Sequence, residues 1–283
     1  MSALTNEANH LLKILNVSAR KKFGQNFMVD EAALSFIAES LALAAEETVL
    51  EIGPGLGFLT RALFEKGAGR VLAVETDAAY TKHLKKYFLE KEFVLKEGDI
   101  LEADLKKDFG VTAPIKVVGN IPYNITSPIL EWLIGQKSLV SEAVLTMQWE
   151  VAERLAAKPG GKDWGALSIF LQMNADAEVL KKLGESSFSP APNVDSAVVR
   201  IRFLKTPRFQ VNQEHFSRLV RRSFQKRRKT LLNSLEDRED PIFAKATLEK
   251  TLRLVDIDPT RRPETLNLTD WARLSVALEG SAN

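Results

Sequence analysis

Residues Gly119-Asn120-Ile121-Pro122-Tyr123-Asn124 bring two hydrogen-bond acceptors, a rigid ring and an aromatic face together within six positions. Such a set suits a poor nucleophile, the exocyclic amine of adenine, whose lone pair is delocalised into the ring. Acceptors aimed at its two N–H bonds, the Asn120 side-chain oxygen and the Ile121 carbonyl, would draw that lone pair out of conjugation without a strong base. Pro122 fixes the backbone that presents the carbonyl. Tyr123 offers a surface on which an extruded base can stack in line with an electrophile. The same residues would also make an ordinary turn, since Asn and Pro both favour turns. Their place at the carboxyl end of a strand, where doubly wound domains bind ligands, favours the catalytic reading.

A second cluster suggests what carries the electrophile. The apolar run Val49-Leu50-Glu51-Ile52 leads into Gly53-Pro54-Gly55-Leu56-Gly57. Glycine there permits a tight turn at positive φ and close approach of a ligand to the backbone. Glu75 ends the next strand-like run, about 20 residues on, where an acidic side chain can take both hydroxyls of an adenosine ribose. Asp99 follows a third run and can accept from the adenine amino group. A nicotinamide dinucleotide prefers G-x-G-x-x-G, whereas this turn is G-x-G-x-G with Pro54 inside it, and Glu51 before it can reach a cation. S-adenosylmethionine, an adenosine bearing a sulfonium and no pyrophosphate, fits better than the dinucleotide.

These residues need a scaffold, and the spacing of apolar residues supplies one. Thr48–Ile52, Arg70–Glu75, Phe93–Lys96, Ile115–Val118 and Ala143–Met147 read as strands. Gly57–Lys66, Ala78–Leu89 and Pro128–Leu133 read as helices between them. Alternation of this kind implies right-handed βαβ units and a doubly wound, Rossmann-like α/β domain. Ala177–Leu183 and Ser196–Phe203, joined by the Pro-rich segment Phe188–Val194, read as an antiparallel pair at the sheet edge. Beyond Thr206-Pro207 the chain reads as helical, over Glu214–Leu235, Ile242–Leu254 and Leu268–Leu278. Three parts are therefore expected: a basic segment 1–25, a cofactor-binding domain 26–205 and a small helical domain 206–283.

Composition narrows the chemistry. The chain of 283 residues has no cysteine, which excludes disulfides, a thiolate nucleophile and Cys-rich zinc sites. No metal is expected. No signal-peptide pattern opens the chain and no run reaches the ~20 apolar residues of a membrane span, so no membrane association and a cytoplasmic location are expected. The net charge of +2 hides a split: +3 over 1–25, −5 over 26–205 and +4 over 206–283. Within the last part, Arg218, Arg221, Arg222, Lys226, Arg227, Arg228 and Lys229 fall in twelve residues without an acid. Most charge runs are solvated helix faces, but this one is single-signed, with Phe216, Val220, Phe224 and Leu231 marking a separate packing face. With Arg20, Lys21 and Lys22 it is read as a phosphate-binding surface.

The glycine turn, Asn120-Ile121-Pro122-Tyr123 and the basic run Phe224-Gln225-Lys226-Arg227-Arg228-Lys229-Thr230-Leu231 resemble the ribosomal RNA adenine N6,N6-dimethyltransferases of the kasugamycin-resistance type. The resemblance extends from about Lys21 to Leu278. Lys22-Phe23-Gly24-Gln25-Asn26-Phe27 looks like the family's N-terminal segment that folds over the cofactor, implying that Asn26 and Met28 lie near its methionine part. Gly53, Glu75, Asp99 and Asn120 fall on the family's cofactor-contacting positions. Phe188-Ser189-Pro190-Ala191-Pro192-Asn193-Val194-Asp195-Ser196 resembles its Phe-x-Pro-x-Pro-x-Val-Asp-Ser loop, which implies Phe188 on the face of the target adenine opposite Tyr123. A core anchor is an equal reading of Phe188 from the sequence alone. Trp149 stands where relatives usually carry lysine, so it either stacks on a base or packs.

What the resemblance implies is dimethylation of two adjacent adenosines near the 3′ end of small-subunit rRNA during ribosome biogenesis. The methyl donor would be S-adenosylmethionine, and the substrate a pre-assembled small subunit met by a monomer. The large-subunit adenosine methyltransferases of the macrolide-resistance type and a non-catalytic assembly factor are the alternatives.

Overall fold

A computed structural model describes residues 2–17, 26–226, 228–236 and 243–280. Helix α1 (Ala3–Ile14) is capped by Ser2, whose hydroxyl accepts from the Thr5 N–H at 3.1 Å. After the two-residue strand β1 (Phe27–Met28), Asp30 caps α2 (Glu31–Ser40) by accepting from Ala33 at 3.1 Å. Neither helix was anticipated from the sequence, where their short apolar stripes lack a flanking strand to frame them.

The alternating region follows as β2 (Thr48–Ile52), α3 (Phe58–Glu65), β3 (Arg70–Glu75), α4 (Ala78–Tyr87), β4 (Phe93–Glu97), α5 (Leu105–Phe109), β5 (Ile115–Asn120), α6 (Thr126–Gly135) and β6 (Val140–Gln148). Two short helices, α7 (Trp149–Leu155) and α8 (Ala166–Gln172), precede β7 (Ala175–Leu183), β8 (Phe188–Ser189) and β9 (Ser196–Phe203). Seven strands form one sheet in the order β4-β3-β2-β5-β6-β9-β7. Pairs β2/β3, β3/β4, β2/β5 and β5/β6 are parallel, and β9 returns antiparallel to β6 with Ser196 opposite Gln148. The order runs outward from β2 in one direction and from β5 in the other. Their junction is the topological switch point at which open α/β sheets bind ligands. The fold is thus the Rossmann-like doubly wound one that the alternation predicts, with β9 and β7 side by side at one edge.

Of the described residues, those up to 152 together with 177–205 cluster as one compact unit, and 153–176 with those from 206 onward as a second. The stretch 153–176 thus falls in the second unit, although the sequence boundary at 205 puts it in the first. Its apolar residues explain this: Trp164, Ile169 and Met173 are buried in one cluster with Phe216, Leu219, Phe243 and Trp271. The Trp164 indole N–H is also satisfied there, by the Leu266 carbonyl at 2.9 Å.

The second unit continues with α9 (Gln213–Ser223), α10 (Leu231–Leu235), α11 (Lys245–Leu254) and α12 (Leu268–Gly280). The single helix expected over Glu214–Leu235 is two. Arg228 takes φ +71°, which no helix interior tolerates, and the Thr230 hydroxyl begins α10 by accepting from Asn233.

Candidate active site

A cavity of about 430 Å³ opens at the carboxyl ends of β2, β3, β4 and β5. Its wall includes Asn26, Met28, Gly53, Glu75, Asp99, Asn120, Ile121, Pro122 and Tyr123. The first unit therefore gathers into one cavity all the cofactor and catalytic candidates except Phe188.

The glycine turn departs from β2 with Gly53, Gly55 and Gly57 all at positive φ, +65°, +56° and +84°. At Gly57 a side chain is doubly excluded, because a Cβ would sit 2.8 Å from Leu84 Cδ2 on α4. Nothing lies within 4 Å of a Cβ built on Gly53, so this position opens onto space that a ligand can enter. Phe27 and Tyr80, edge to face with ring centroids 5.8 Å apart, form apolar wall beside the turn.

Glu75, at the end of β3, is held by the turn it faces. The Gly55 N–H donates to Oε2 at 3.0 Å and the Asp77 N–H to Oε1 at 2.9 Å. Burial pushes its carboxyl above the usual carboxylate range, while these backbone donors pull it back. Asp99 caps a short 3₁₀ turn, accepting from Leu101 N–H at 2.9 Å, and remains exposed toward the cavity it lines. Glu51, Glu75, Asp77 and Asp99 all line this cavity, and no Lys, Arg or His does so among the described residues. A pocket of this composition disfavours a pyrophosphate and favours a cation, which decides against the dinucleotide on electrostatic grounds.

Asn120 ends β5, and its Nδ2 donates to the Asn26 carbonyl at 2.8 Å. Pro122, at φ −61° and ψ 132°, turns the chain into the 3₁₀ turn Tyr123–Ile125 and then α6. The Tyr123 hydroxyl is hydrogen-bonded to Ser196 Oγ on β9, and Ser196 is fully buried. Burial raises the phenol above its ordinary range. The hydroxyl is thus held neutral.

Phe188 lies outside this wall and packs as a core anchor, one of its two readings from the sequence. It is 4% exposed, pairs through its backbone with Met28, and belongs to the apolar core of the first unit. The β1–β8 ribbon, reinforced by Val29 N–H to Ser187 O at 2.9 Å and Ser187 Oγ to Asp30 at 2.9 Å, uses Phe188 as an anchor. It holds the segment bearing Asn26 and Met28. Trp149 is half-buried, with the Lys182 ammonium 4.9 Å from its ring centroid and its backbone N–H donated to the Asp195 carbonyl at 2.9 Å.

In the second unit the expected packing face is present: Phe216, Val220 and Leu231 are buried, and Phe224 packs on Trp271 at 5.9 Å. The basic stripe is divided in use. Arg222 stacks on Phe243 at 5.0 Å and donates Nε–H to the Leu235 carbonyl at 2.8 Å, closing the end of α10. Arg218 and Arg221 stay exposed while lying over Phe243 and Phe170. Arg228 and Lys229 are exposed in the connection between α9 and α10. Arg20, Lys21, Lys22 and Arg227 lie outside the described residues. So do Phe23, Gly24 and Gln25 of the N-terminal segment.

Sequence reading missed Phe27, Tyr80 and Ser196 as parts of this site. The first two look like core residues in any apolar pattern. Ser196 ends a motif whose contact with Tyr123 depends on the β6/β9 register.

Among the described residues no helix is long and apolar enough to cross a membrane, and no group of three or more His, Asp or Glu is placed to hold a metal ion. The profile of the ribosomal RNA adenine dimethylase family matches residues 16–273. The ribosomal RNA small subunit methyltransferase A of Myxococcus xanthus is 44% identical over 95% of this chain and 94% of its own length. That of Pseudomonas aeruginosa is 39% identical over 92% and 94%. Among solved structures, a dimethyladenosine transferase from Plasmodium falciparum superposes with a TM-score of 0.74 at 25% identity, covering 89% of this chain and 96% of that one. The 23S rRNA methyltransferase ErmE gives 0.66 at 27%, covering 90% and all of that chain. With a family profile matched over nearly its whole length, and the acceptor, glycine and carboxylate positions of that chemistry gathered at one sheet edge, the chain belongs to the ribosomal RNA adenine dimethylase family.

Proposed function

We propose that this protein transfers methyl groups from S-adenosylmethionine to N6 of two adjacent adenosines near the 3′ end of 16S rRNA, dimethylating each, on a pre-assembled small subunit in the cytoplasm. The observation that carries the reading is the Asn120–Asn26 bond. A carbonyl can only accept, so the Asn120 amide must present its NH₂ to Asn26, which leaves Oδ1 as the arm that accepts from a bound amine.

The cavity fits the donor by charge and by shape: it is acidic, without a lining cation among the described residues, and open above Gly53. Glu75 and Asp99 would hold the ribose hydroxyls and the adenine amino group, with Asn26 and Met28 toward the methionine end. When bound, S-adenosylmethionine supplies an electrophilic methyl on a sulfonium. Asn120 Oδ1 and the Ile121 carbonyl accept the two N6–H bonds of the target base, restoring the amine lone pair for attack. Tyr123 stacks on that base and fixes its direction of approach. The N–C bond forms as the S–C bond breaks, and the extra N6 proton leaves to water. After the first transfer one N–H remains, and either acceptor can engage it for the second.

Exposed Arg218, Arg221, Arg228 and Lys229, with Arg20, Lys21, Lys22 and Arg227, supply phosphate affinity without reading sequence. Recognition then rests on the shape of the assembled subunit. A monomer suffices, because one chain carries every acceptor and cofactor residue named. Mapping dimethyladenosine in rRNA from cells with and without the protein tests the proposal. Loss of the two 16S sites together with gain of kasugamycin resistance is expected, whereas a loss confined to 23S rRNA would overturn it.

A further inference from the structure

Glu51 is a carboxyl in the cavity wall for which the chemistry above has no use. It is the penultimate residue of β2, 1% exposed, and it lines the cavity. Thr60 on α3, itself fully buried, donates its hydroxyl to Glu51 Oε2 at 2.6 Å. Glu75 on β3 adds a like charge nearby. The other titratable groups lining the cavity are Asp77 and Tyr80 at the start of α4, Asp99 after β4, and Tyr123 after β5. Asp77 and Asp99 accept backbone N–H groups as caps and Glu75 accepts two, so each has fixed donors. Glu51 has one hydroxyl. Burial, opposed by Thr60 and aided by Glu75, pushes its carboxyl up to about 8.

A buried carboxyl with so little compensation takes its charge from what occupies the pocket. The methyl donor is cationic at sulfur and its demethylated by-product is a neutral thioether. We propose that Glu51 makes the cavity read the charge on sulfur: it is ionised while the sulfonium donor is bound and protonated while the thioether by-product is bound, so that donor is preferred over spent cofactor. This rests on the S-adenosylmethionine reading above. The accounting closes. Donor binding releases the Glu51 proton to solvent. On transfer, the S–C electron pair stays on sulfur and the amine sheds its own proton. The carboxylate then regains one proton from solvent, and the by-product loses its hold.

Calorimetric titration of the full chain with S-adenosylmethionine and with S-adenosylhomocysteine, from about pH 6.5 to 9 in two buffers of different ionisation enthalpy, tests this. Donor binding should release a proton and by-product binding should not. The donor-to-by-product affinity ratio should rise with pH and level off once the carboxyl ionises in the by-product complex. The rise is about tenfold for each unit by which the Glu51 pKa is lower with donor bound than with by-product bound. Both ligands carry an α-amino group that also titrates here, the donor's at lower pH because of its sulfonium, so each ligand is titrated without protein and its own proton uptake subtracted before the ratio is formed. Glu51→Gln should abolish both the proton release and the pH dependence of the ratio. Thr60→Val, which removes the donor without changing volume, should move the rise to higher pH; it carries the test alongside the unmodified chain if Glu51→Gln fails to fold by circular dichroism. Tight binding of both ligands at a pH-independent ratio, or an unchanged pH dependence in folded Glu51→Gln, overturns the proposal alone. Absence of donor binding by the unmodified protein overturns it together with the cofactor reading.

Discussion

Asn120 Nδ2 lies 2.8 Å from the carbonyl oxygen of Asn26, a hydrogen bond joining residues 94 apart in sequence. The bond orients the side chain before any substrate arrives. A group positioned in advance gives up no reorganisation energy when charge develops on the attacking amine. Asn120→Ala removes the acceptor and should lower single-turnover methylation of small subunits by roughly 10²–10³-fold, the range for loss of one oriented polar group. The far-ultraviolet spectrum should not change. Asn120→Asp separates orientation from acceptance: as a carboxylate it cannot donate to Asn26, and as a carboxylic acid it can. Its rate relative to the parent should therefore fall as pH rises through the pKa of the introduced carboxyl, followed in the same samples by its infrared carbonyl band, and a ratio constant across that pKa would show that the Asn26 bond is immaterial.

The Tyr123 hydroxyl meets Ser196 Oγ, and Ser196 is inaccessible to solvent. If the hydroxyl serves only to hold the ring, Tyr123→Phe and Ser196→Ala should each slow methylation by about the fivefold that one ordinary hydrogen bond is worth, and the double variant no further. Tyr123→Ala, which removes the stacking face, should cost about 1–3 kcal/mol in transition-state stabilisation, about five- to over a hundredfold. Independent additive losses from the two hydroxyl deletions would mean that Tyr123 Oη touches substrate.

The turn glycines should divide by what they face. Gly57→Ala meets Leu84 at 2.8 Å and Phe88 at 3.1 Å while holding φ +84°, so it should destabilise the first unit by about 1–3 kcal/mol and lower Tm by several degrees. Gly53→Ala has open space around its Cβ. Apart from the strain of its φ, its main effect should be on S-adenosylmethionine affinity. Thermal melts with and without the cofactor distinguish them: the Gly53 variant should lose more of its ligand-induced Tm shift.

The parallel sheet was legible because βαβ alternation is a local pattern, and Gly53, Glu75, Asp99 and Asn120 converge for that reason alone. Each sits at a strand end, and a doubly wound sheet brings those ends to one edge. The choice between the two readings of Phe188 and the contact of Ser196 with Tyr123 were not legible. Phe188 depends on a pairing 160 residues apart, β8 with β1, and Ser196 on one 48 residues apart, β9 with β6, and the spacing of residues along the chain encodes neither. The basic stripe was legible as charge but not as use. Only the fold reveals that Phe243 and the carbonyl end of α10 face Arg222, and the break at Arg228 is a φ choice that a run of good helix formers conceals.

That division of the stripe predicts two kinds of variant. Arg222→Ala leaves the Leu235 carbonyl without its donor and strips a cation from the face of Phe243. It should destabilise the second unit by about 1–3 kcal/mol, visible as a lower denaturant midpoint. Lys229→Ala and Arg228→Ala remove no comparable internal contact among the described residues and should leave that midpoint nearly unchanged. Each should instead weaken binding to small subunits about uniformly across RNA sequences. Each should also reduce the slope of log K against log salt by roughly 0.7–0.9, the signature of one lost phosphate contact. If Arg222→Ala changed the salt slope without changing stability, its guanidinium would be reaching phosphate rather than closing α10, and the assignment of the stripe would be reversed.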